Sequence, residues 1–393
     1  MASLIFRKGL DAGAAVATVL SDSYQSPLVQ QVRADDHTYR AGRLTVHLAN
    51  EFGFCYGVDR AVDYAYQASH RFPDRRVFLT GEIIHNPHVN AELRRIGIHF
   101  LSDPGRGLHE LQPEDVVILP AFGVTVTLLQ DLDAIGCTLV DTTCGSVLNV
   151  WKNVRRYATT GYTSVIHGKS WHEETRATAS QAAALTGAYL IVFDDAEADV
   201  VCDYIRHGGD REAFLTQFAS AVSPGFDPDQ HLQRIGLANQ TTMLMSESLA
   251  IGDQFRAAMR DRWGEATLAE HFQAFDTICS ATQDRQDALS QLLDTYPLDL
   301  MVVIGGYNSS NTTHLARMCE GRVPTFHIDS HEALLSPDRI RHRPVGSTTE
   351  TESREWLPRT GALRIGLTSG ASTPDNVLGT VIATLDRFCN SST

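Results

Sequence analysis

The sequence predicts an α/β protein built from three similar doubly wound modules with mainly parallel sheets. Three observations predict it. Short β-rich runs recur along the 393 residues. Amphipathic segments of helix length lie between most of them, and such alternation implies parallel strands with helices on their faces. A pattern of apolar run, turn, cysteine and helix occurs three times, at Cys55, Cys144 and Cys279, which points to related modules.

Taken in order, residues 1–43 read as an appended arm. Their opening, MASLIFRKGLDAGAAVATVL, has a basic pair and a mildly apolar stretch. Asp11 interrupts that stretch and Gly and Ala dilute it, so an amphipathic surface helix is expected rather than a secretory signal. The first module, 44–140, has strands in LTVHLA (44–49) and VVILP (116–120), with Cys55 ahead of the helical RAVDYAYQASHRF. The second, 141–270, has the helical NVWKNVRRYATT after Cys144, then strands in TSVIHG (163–168), YLIVFD (189–194) and RIGLANQ (234–240). Its segment 205–232 is polar and carries Gly and Pro, which marks an insertion or helical excursion. The third, 271–393, has DRQDALSQLLDTY after Cys279 and strands in LDLMVVIGG (298–306), TFHID (325–329) and LRIGLTSG (363–370), with 336–361 read as a long loop.

Composition narrows the function. With 43% apolar residues, a chain of this length buries ample core without disulfides. A formal charge of −14 argues against a nucleic-acid partner, because such binding depends on clustered Lys and Arg. No run approaches the roughly 18–20 apolar residues needed to cross a bilayer. Seven cysteines without a C-x-x-C pair suit a reducing compartment, and a cytoplasmic setting is expected.

In open α/β sheets ligands bind beyond the carboxyl ends of the strands, so polar clusters after apolar runs are the candidates. Backbone N–H groups at a helix start favour a thiolate. One cysteine so placed suggests a nucleophile. Three suggest a shared soft cation, either zinc with an open position or an iron–sulfur cluster lacking one protein ligand. Buried packing is the ordinary alternative for each alone, and is the expectation for Cys137, Cys202, Cys319 and Cys389. His85 and His172, with NSSN (308–311) and Ser372, supply imidazole, amide and hydroxyl donors suited to a phosphate or diphosphate. Glu174 and Thr241 are candidates for proton work, although helix capping explains Glu174 equally well. No Walker loop and no G-x-G-x-x-G follows any strand, so nucleotide binding has no support.

The strings FGFCYGVDRAV, EIIHNPHVN, PAFGVT, DTTC, SVIHGKSWHEETRATAS, ANQTTML, TICSATQDRQDA, GGYNSSNTTHLA and GLTSGASTPD run in that order from about residue 44 to the C-terminus. Together they resemble the 4-hydroxy-3-methylbut-2-enyl diphosphate reductase family, the LytB or IspH type, in its plant and cyanobacterial branch. The resemblance implies a trefoil-like arrangement around a 4Fe-4S cluster held by Cys55, Cys144 and Cys279, with one iron open. It implies that His85, His172, Ser309, Ser310, Asn311 and Ser372 bind the substrate diphosphate, that Glu174 delivers a proton, and that Thr241 orders the substrate hydroxyl. The activity implied is the last step of the non-mevalonate isoprenoid pathway, with ferredoxin or flavodoxin as electron donor. Two departures stand out: Phe122 replaces a histidine common in bacterial members, with His88 a candidate to compensate, and Gly145 replaces a common proline. The rivals are an iron–sulfur hydro-lyase, which turns over without a reductant, and a metal-binding sensor, which is indifferent to Glu174.

Overall fold

The computed structural model describes residues 4–275 and 277–390; Asp276, which opens the second D-T-x-C string, lies outside them. The chain divides into two compact units, the first formed by Phe122–Cys137 and Thr143–Cys279, the second by Leu4–Ala121, Thr138–Thr142 and Ser280–Thr393.

In the first unit the strands Tyr189–Val192, Thr163–His167, Ile235–Asn239 and Phe272–Ala274 lie side by side, all parallel. Val165, Ile166, Leu190, Val192 and Ile235 enter one core, as expected of short β-branched runs covered by helices. The excursion at 205–232 is helical, with helices Arg211–Gln217 and Pro228–His231 capped by the carboxylates of Asp210 and Asp227. It sends Phe214, Phe218 and Phe226 into the same core. The segment therefore completes the unit rather than decorating it.

The second unit holds two larger sheets. One orders Ile5–Phe6, Thr138–Asp141, Val116–Leu119, Val77–Leu79 and His99–Phe100, all parallel. The other orders Thr325–Ile328, Leu300–Ile304, Leu363–Ser369 and Leu44–Leu48 in parallel, with Thr38–Ala41 antiparallel at the edge. Leu300, Val302 and Ile304 belong to one core and Met301 and Val303 to another. Successive side chains point to opposite faces, and both faces are covered, which is why LMVVI is apolar without a break.

All three sheets repeat one order. Numbered from the first strand after each cysteine-led helix, the parallel strands run 2-1-3-4. The strand ahead of each cysteine is the fourth of one sheet, and the helix behind it leads to the first strand of the next. This corrects two expected boundaries. Leu44–Leu48 does not open a module with Val116–Leu119; it closes the sheet of Leu363–Ser369. Phe272–Ala274 likewise pairs with Ile235–Asn239, not with the strands after 298. A strand's apolar pattern identifies the strand but not its neighbour, and here the neighbour lies across the whole chain.

The arm is also built in. Ile5–Phe6 adds a strand to one sheet and Thr38–Ala41 to the other. Helix Gly13–Tyr24 is preceded by a turn whose Leu10 N–H donates to the Gln67 Oε1 at 2.9 Å. Val29 and Val32 of helix Pro27–Ala34 pack with Val377, Leu378 and Val381. Residues 336–361, expected as loop, contain an antiparallel pair, Arg339–His342 with Thr351–Arg354. No helix among the described residues is long and apolar enough to cross a membrane.

Candidate active site

Cys55 and Cys144 occupy the N-cap positions of helices Tyr56–Arg71 and Gly145–Thr159, and Cys279 stands directly before helix Ser280–Thr295. All three are half-buried, whereas Cys137, Cys202 and Cys319 are buried. Burial pushes the Cys202 and Cys319 thiols up to about 12, which keeps them protonated packing residues. Cys389 is half-buried too, but it lies in the C-terminal helix Asp375–Asn390, so the three thiols at strand-to-helix turns are those suited to a soft metal.

The threonine of D-T-x-C fastens its turn to the end of the third strand. Thr142 donates from N–H and Oγ1 to the Leu119 carbonyl, at 3.2 and 2.6 Å. Thr277 Oγ1 accepts the Asn239 N–H at 2.7 Å, and the Cys279 N–H donates to the Thr241 carbonyl at 3.3 Å. At Cys55 the N–H donates to the Ala371 carbonyl at 3.1 Å, and the Gly53 N–H donates to Ser369 Oγ at 3.0 Å.

In the first unit, strands Thr163–His167 and Ile235–Asn239 meet where the strand order reverses, the place at which open sheets bind ligands. Glu174, in the first turn of helix Glu173–Ala183, is 2% exposed. Its Oε1 accepts the Thr241 N–H at 2.5 Å. The carboxylate therefore reaches across to the neighbouring loop. The cap is His172, whose Nδ1 accepts the Glu174 N–H at 3.2 Å; in a neutral ring this puts the proton on Nε2. Gln240, not singled out from the sequence, braces the floor: its Oε1 accepts the Lys169 N–H and the Thr175 hydroxyl, each at 3.1 Å. Phe122 sets its ring edge-on to His172, centroids 5.7 Å apart.

In the second unit, Ser309 caps helix Ser310–Cys319 and accepts the Thr312 N–H at 3.3 Å. Asn311 Oδ1 accepts the Ala371 N–H at 3.0 Å. Its buried Nδ2 has no partner among the described residues, so a donor stands ready for an acceptor that protein does not provide. His85 Nδ1 meets Glu82 Oε2 at 2.8 Å, and Asn308 Nδ2 donates to the same carboxylate oxygen at 2.8 Å. Ser372 Oγ donates to the His85 carbonyl at 3.2 Å. A Cβ on Gly306 would come within 2.5 Å of that carbonyl, so only glycine permits the approach. His85, Ser309, Ser310, Asn311 and Ser372 are all buried. The second unit therefore gathers neutral donors at one helix start, which suits an anion.

His88 is held within the second unit. Its ring packs edge-on against Tyr24 and its Nε2 accepts from Asn376 at 3.3 Å, while burial lowers its proton affinity. It is tied to the arm and to the C-terminal helix. Glu82 and Gln240 each lie inside a string whose other residues carry the chemistry, and a polar residue bracing a candidate ligand has no spacing of its own.

The LytB protein family model matches residues 46–386. A 4-hydroxy-3-methylbut-2-enyl diphosphate reductase of Gloeobacter violaceus is 50% identical over 385 residues, covering 96% of this chain and 91% of its own length. One from Thermosynechococcus vestitus is 50% identical over 379 residues, with 96% and 92% covered. A solved structure of (E)-4-hydroxy-3-methyl-but-2-enyl diphosphate reductase, described as the terminal enzyme of the non-mevalonate pathway, is similar at a TM-score of 0.53 and 26% identity, over 87% of this chain and 99% of that one. The E-1-hydroxy-2-methyl-but-2-enyl-4-diphosphate reductase of Plasmodium falciparum shares the fold at a TM-score of 0.62 and 20% identity, over 88% and 90%.

Proposed function

Since this chain belongs to the LytB protein family, we propose that it is an oxidoreductase that removes the hydroxyl of (E)-4-hydroxy-3-methylbut-2-enyl diphosphate, giving isopentenyl and dimethylallyl diphosphate. The allylic C–O bond breaks, two electrons and two protons are consumed, one proton leaves with the oxygen as water, and the other forms a C–H bond. Ferredoxin or flavodoxin is the class of electron donor.

Cys55, Cys144 and Cys279 would hold a 4Fe-4S cluster. When bound, that cluster supplies the electrons and a Lewis-acidic site for the alcohol. Everything else falls to the side chains. Ser309, Ser310, Asn311 and Ser372 hold the diphosphate with neutral donors, and the partnerless Asn311 Nδ2 supports that role. His172 offers an Nε2–H donor while neutral, since its Nδ1 is occupied by the Glu174 N–H. His85, with Nδ1 at Glu82, donates from Nε2 only as imidazolium. Fixing the substrate at its diphosphate end converts the reaction at the far end into an oriented, effectively unimolecular step.

One observation carries the reading: Glu174, 2% exposed, lies 2.5 Å from the Thr241 N–H at the reversal point of its sheet. A carboxyl in so dry a place is suited to give a proton to a departing oxygen, and Thr241 is at hand to order that oxygen. The test is anaerobic iron and sulfide analysis with electronic spectroscopy, before and after the hydroxylated diphosphate is added, together with turnover with and without reductant. A spectral change on addition and strict dependence on reductant are expected. Turnover without reductant would make the protein a hydro-lyase, and absence of iron and sulfide would end the proposal.

A further inference from the structure

Arg285 is a buried cation with no acidic side chain paired to it among the described residues. It sits in helix Ser280–Thr295 and is 3% exposed. One guanidinium nitrogen donates to the Ala281 carbonyl at 2.8 Å, one turn back, and the other to the Gly53 carbonyl at 2.7 Å. Nε has no partner among the described residues, and among them no carboxylate joins the two carbonyls. Burying a charge on carbonyl dipoles alone is costly, and ordinary structural arginines avoid it by pairing with Asp or Glu. Asp284 and Glu51, which line the same cleft, are both exposed.

That cleft places Arg285 beside Cys55. It encloses about 450 Å³ and is lined by Arg285, Cys55, Phe54, Arg33 and Ala281 among others. Gly53, whose carbonyl Arg285 grips, stands two residues before Cys55 at φ +81°. The same loop is held by the Gly53 N–H on Ser369 and the Cys55 N–H on Ala371. Both backbone groups of Gly53 and the Cys55 N–H are thus taken, and the strongest donor among their partners is a guanidinium.

Resting on the cluster reading above, we infer that Arg285 is a positioning residue for that centre: it clamps the Cys55 turn through Gly53 and supplies a fixed positive charge that stabilises the electron-rich state of whatever Cys55 ligates. The geometry separates this from a packing role. A clamp alone needs only a donor to Gly53, whereas a counter-charge needs the cation.

The experiment compares wild type, Arg285→Lys, Arg285→Gln and Arg285→Met, each prepared anaerobically, by iron and sulfide content, circular dichroism and potentiometric titration. The two neutral variants should shift the reduction equilibrium about tenfold toward the oxidised form, which is about 59 mV lower for one electron. Arg285→Lys should stay within about threefold of wild type because the charge is kept. Neutral variants that fold but hold no iron, beside a loaded lysine variant, would also support the inference. Loaded neutral variants with an unchanged potential would overturn it, as would three variants that all fail to fold, since Arg285 would then be a structural residue. A wild-type protein without iron or sulfide would refute the cluster reading itself and this inference with it.

Discussion

The turns at Cys279 and Cys55 stand at the same place in the same strand order, yet different chemistry holds them. At Cys279, Thr277 lends its hydroxyl to the Asn239 N–H, the last residue of the third strand. At Cys55 there is no such threonine, and the hydroxyl comes from the opposite side: Ser369, the last residue of that sheet's third strand, accepts the Gly53 N–H. One bond is common to both. Each cysteine N–H donates to the carbonyl two residues beyond its third strand, Thr241 in one case and Ala371 in the other. At these two turns a cysteine N–H is fixed to that carbonyl and one hydroxyl closes the turn, contributed by the turn itself at Cys279 and by the neighbouring strand at Cys55. This accounts for D-T-x-C occurring twice rather than three times.

The largest expected effect tests whether the turns are equivalent. Cys55→Ser, Cys144→Ser and Cys279→Ser should each bring reductive turnover to background and lower iron and sulfide content, with the apoprotein melt little changed. A variant that keeps both cluster and turnover would break the equivalence. Glu174→Gln should act at a different level, lowering turnover about 10²–10⁴-fold while iron content stays at the wild-type value. Loss of iron in that variant would move Glu174 from the chemistry into the scaffold.

Acid should strike the two units through different histidines. Burial pushes His167, at the end of its sheet's first strand, and His327, in a neighbouring strand of the other unit, down to about 4. A histidine whose folded pKa lies below its unfolded value of about 6.5 leaves the folded state binding fewer protons. The stability it contributes is fully present above 6.5 and is lost as pH falls toward 4, about 2–3 kcal/mol for each group. Urea melts at pH 7 and 4.5 should show that loss, and His167→Gln should flatten it in part. An unchanged slope in that variant would mean the ring is solvated in the native state.

The two threonines allow a finer comparison. Thr277→Val leaves the Asn239 N–H without its acceptor, a cost of about 1–3 kcal/mol. Thr142→Val removes one of two donors to the Leu119 carbonyl, which keeps the backbone bond, so about 0.5–1.5 kcal/mol is expected. Differential melting of the two variants measures the gap, and equal losses would show that the hydroxyl's direction of donation is immaterial.

Much of this was legible in the sequence, and what was missed has physical causes. Every β-rich run singled out contains a strand, because each has at least one apolar face and is long enough to show it. Val77–Leu79 and His99–Phe100 have only three and two residues, too few to register a period. Thr38–Ala41 is half exposed at a sheet edge and reads as polar. The cysteines, Glu174 and the serine-rich helix start were legible because they sit on turns between unlike patterns. Arg285 was not, since an arginine between Asp284 and Asp287 reads as the solvated side of an amphipathic helix. Its burial depends on a loop 232 residues away in sequence.

The smallest effect concerns a glycine on each kind of turn. Gly53 has φ +81°, and a Cβ there would meet Asp375 Oδ1 at 2.6 Å, an oxygen already held by Arg33. Alanine at 53 should cost about 1–2 kcal/mol from the left-handed backbone alone, and should loosen Cys55 because the Arg285 and Ser369 bonds lie on the same residue. Gly145, directly after Cys144, opens its helix, and a Cβ there meets nothing within 4 Å. Alanine at 145 should stabilise by about 0.4–1 kcal/mol, chiefly by restricting the unfolded chain. Thermal melts of the two variants should therefore move in opposite directions. If Gly145→Ala also destabilised, the open space beside Cys144 would have to be filled in the working protein, and the two turns would be less alike than their shared strand order indicates.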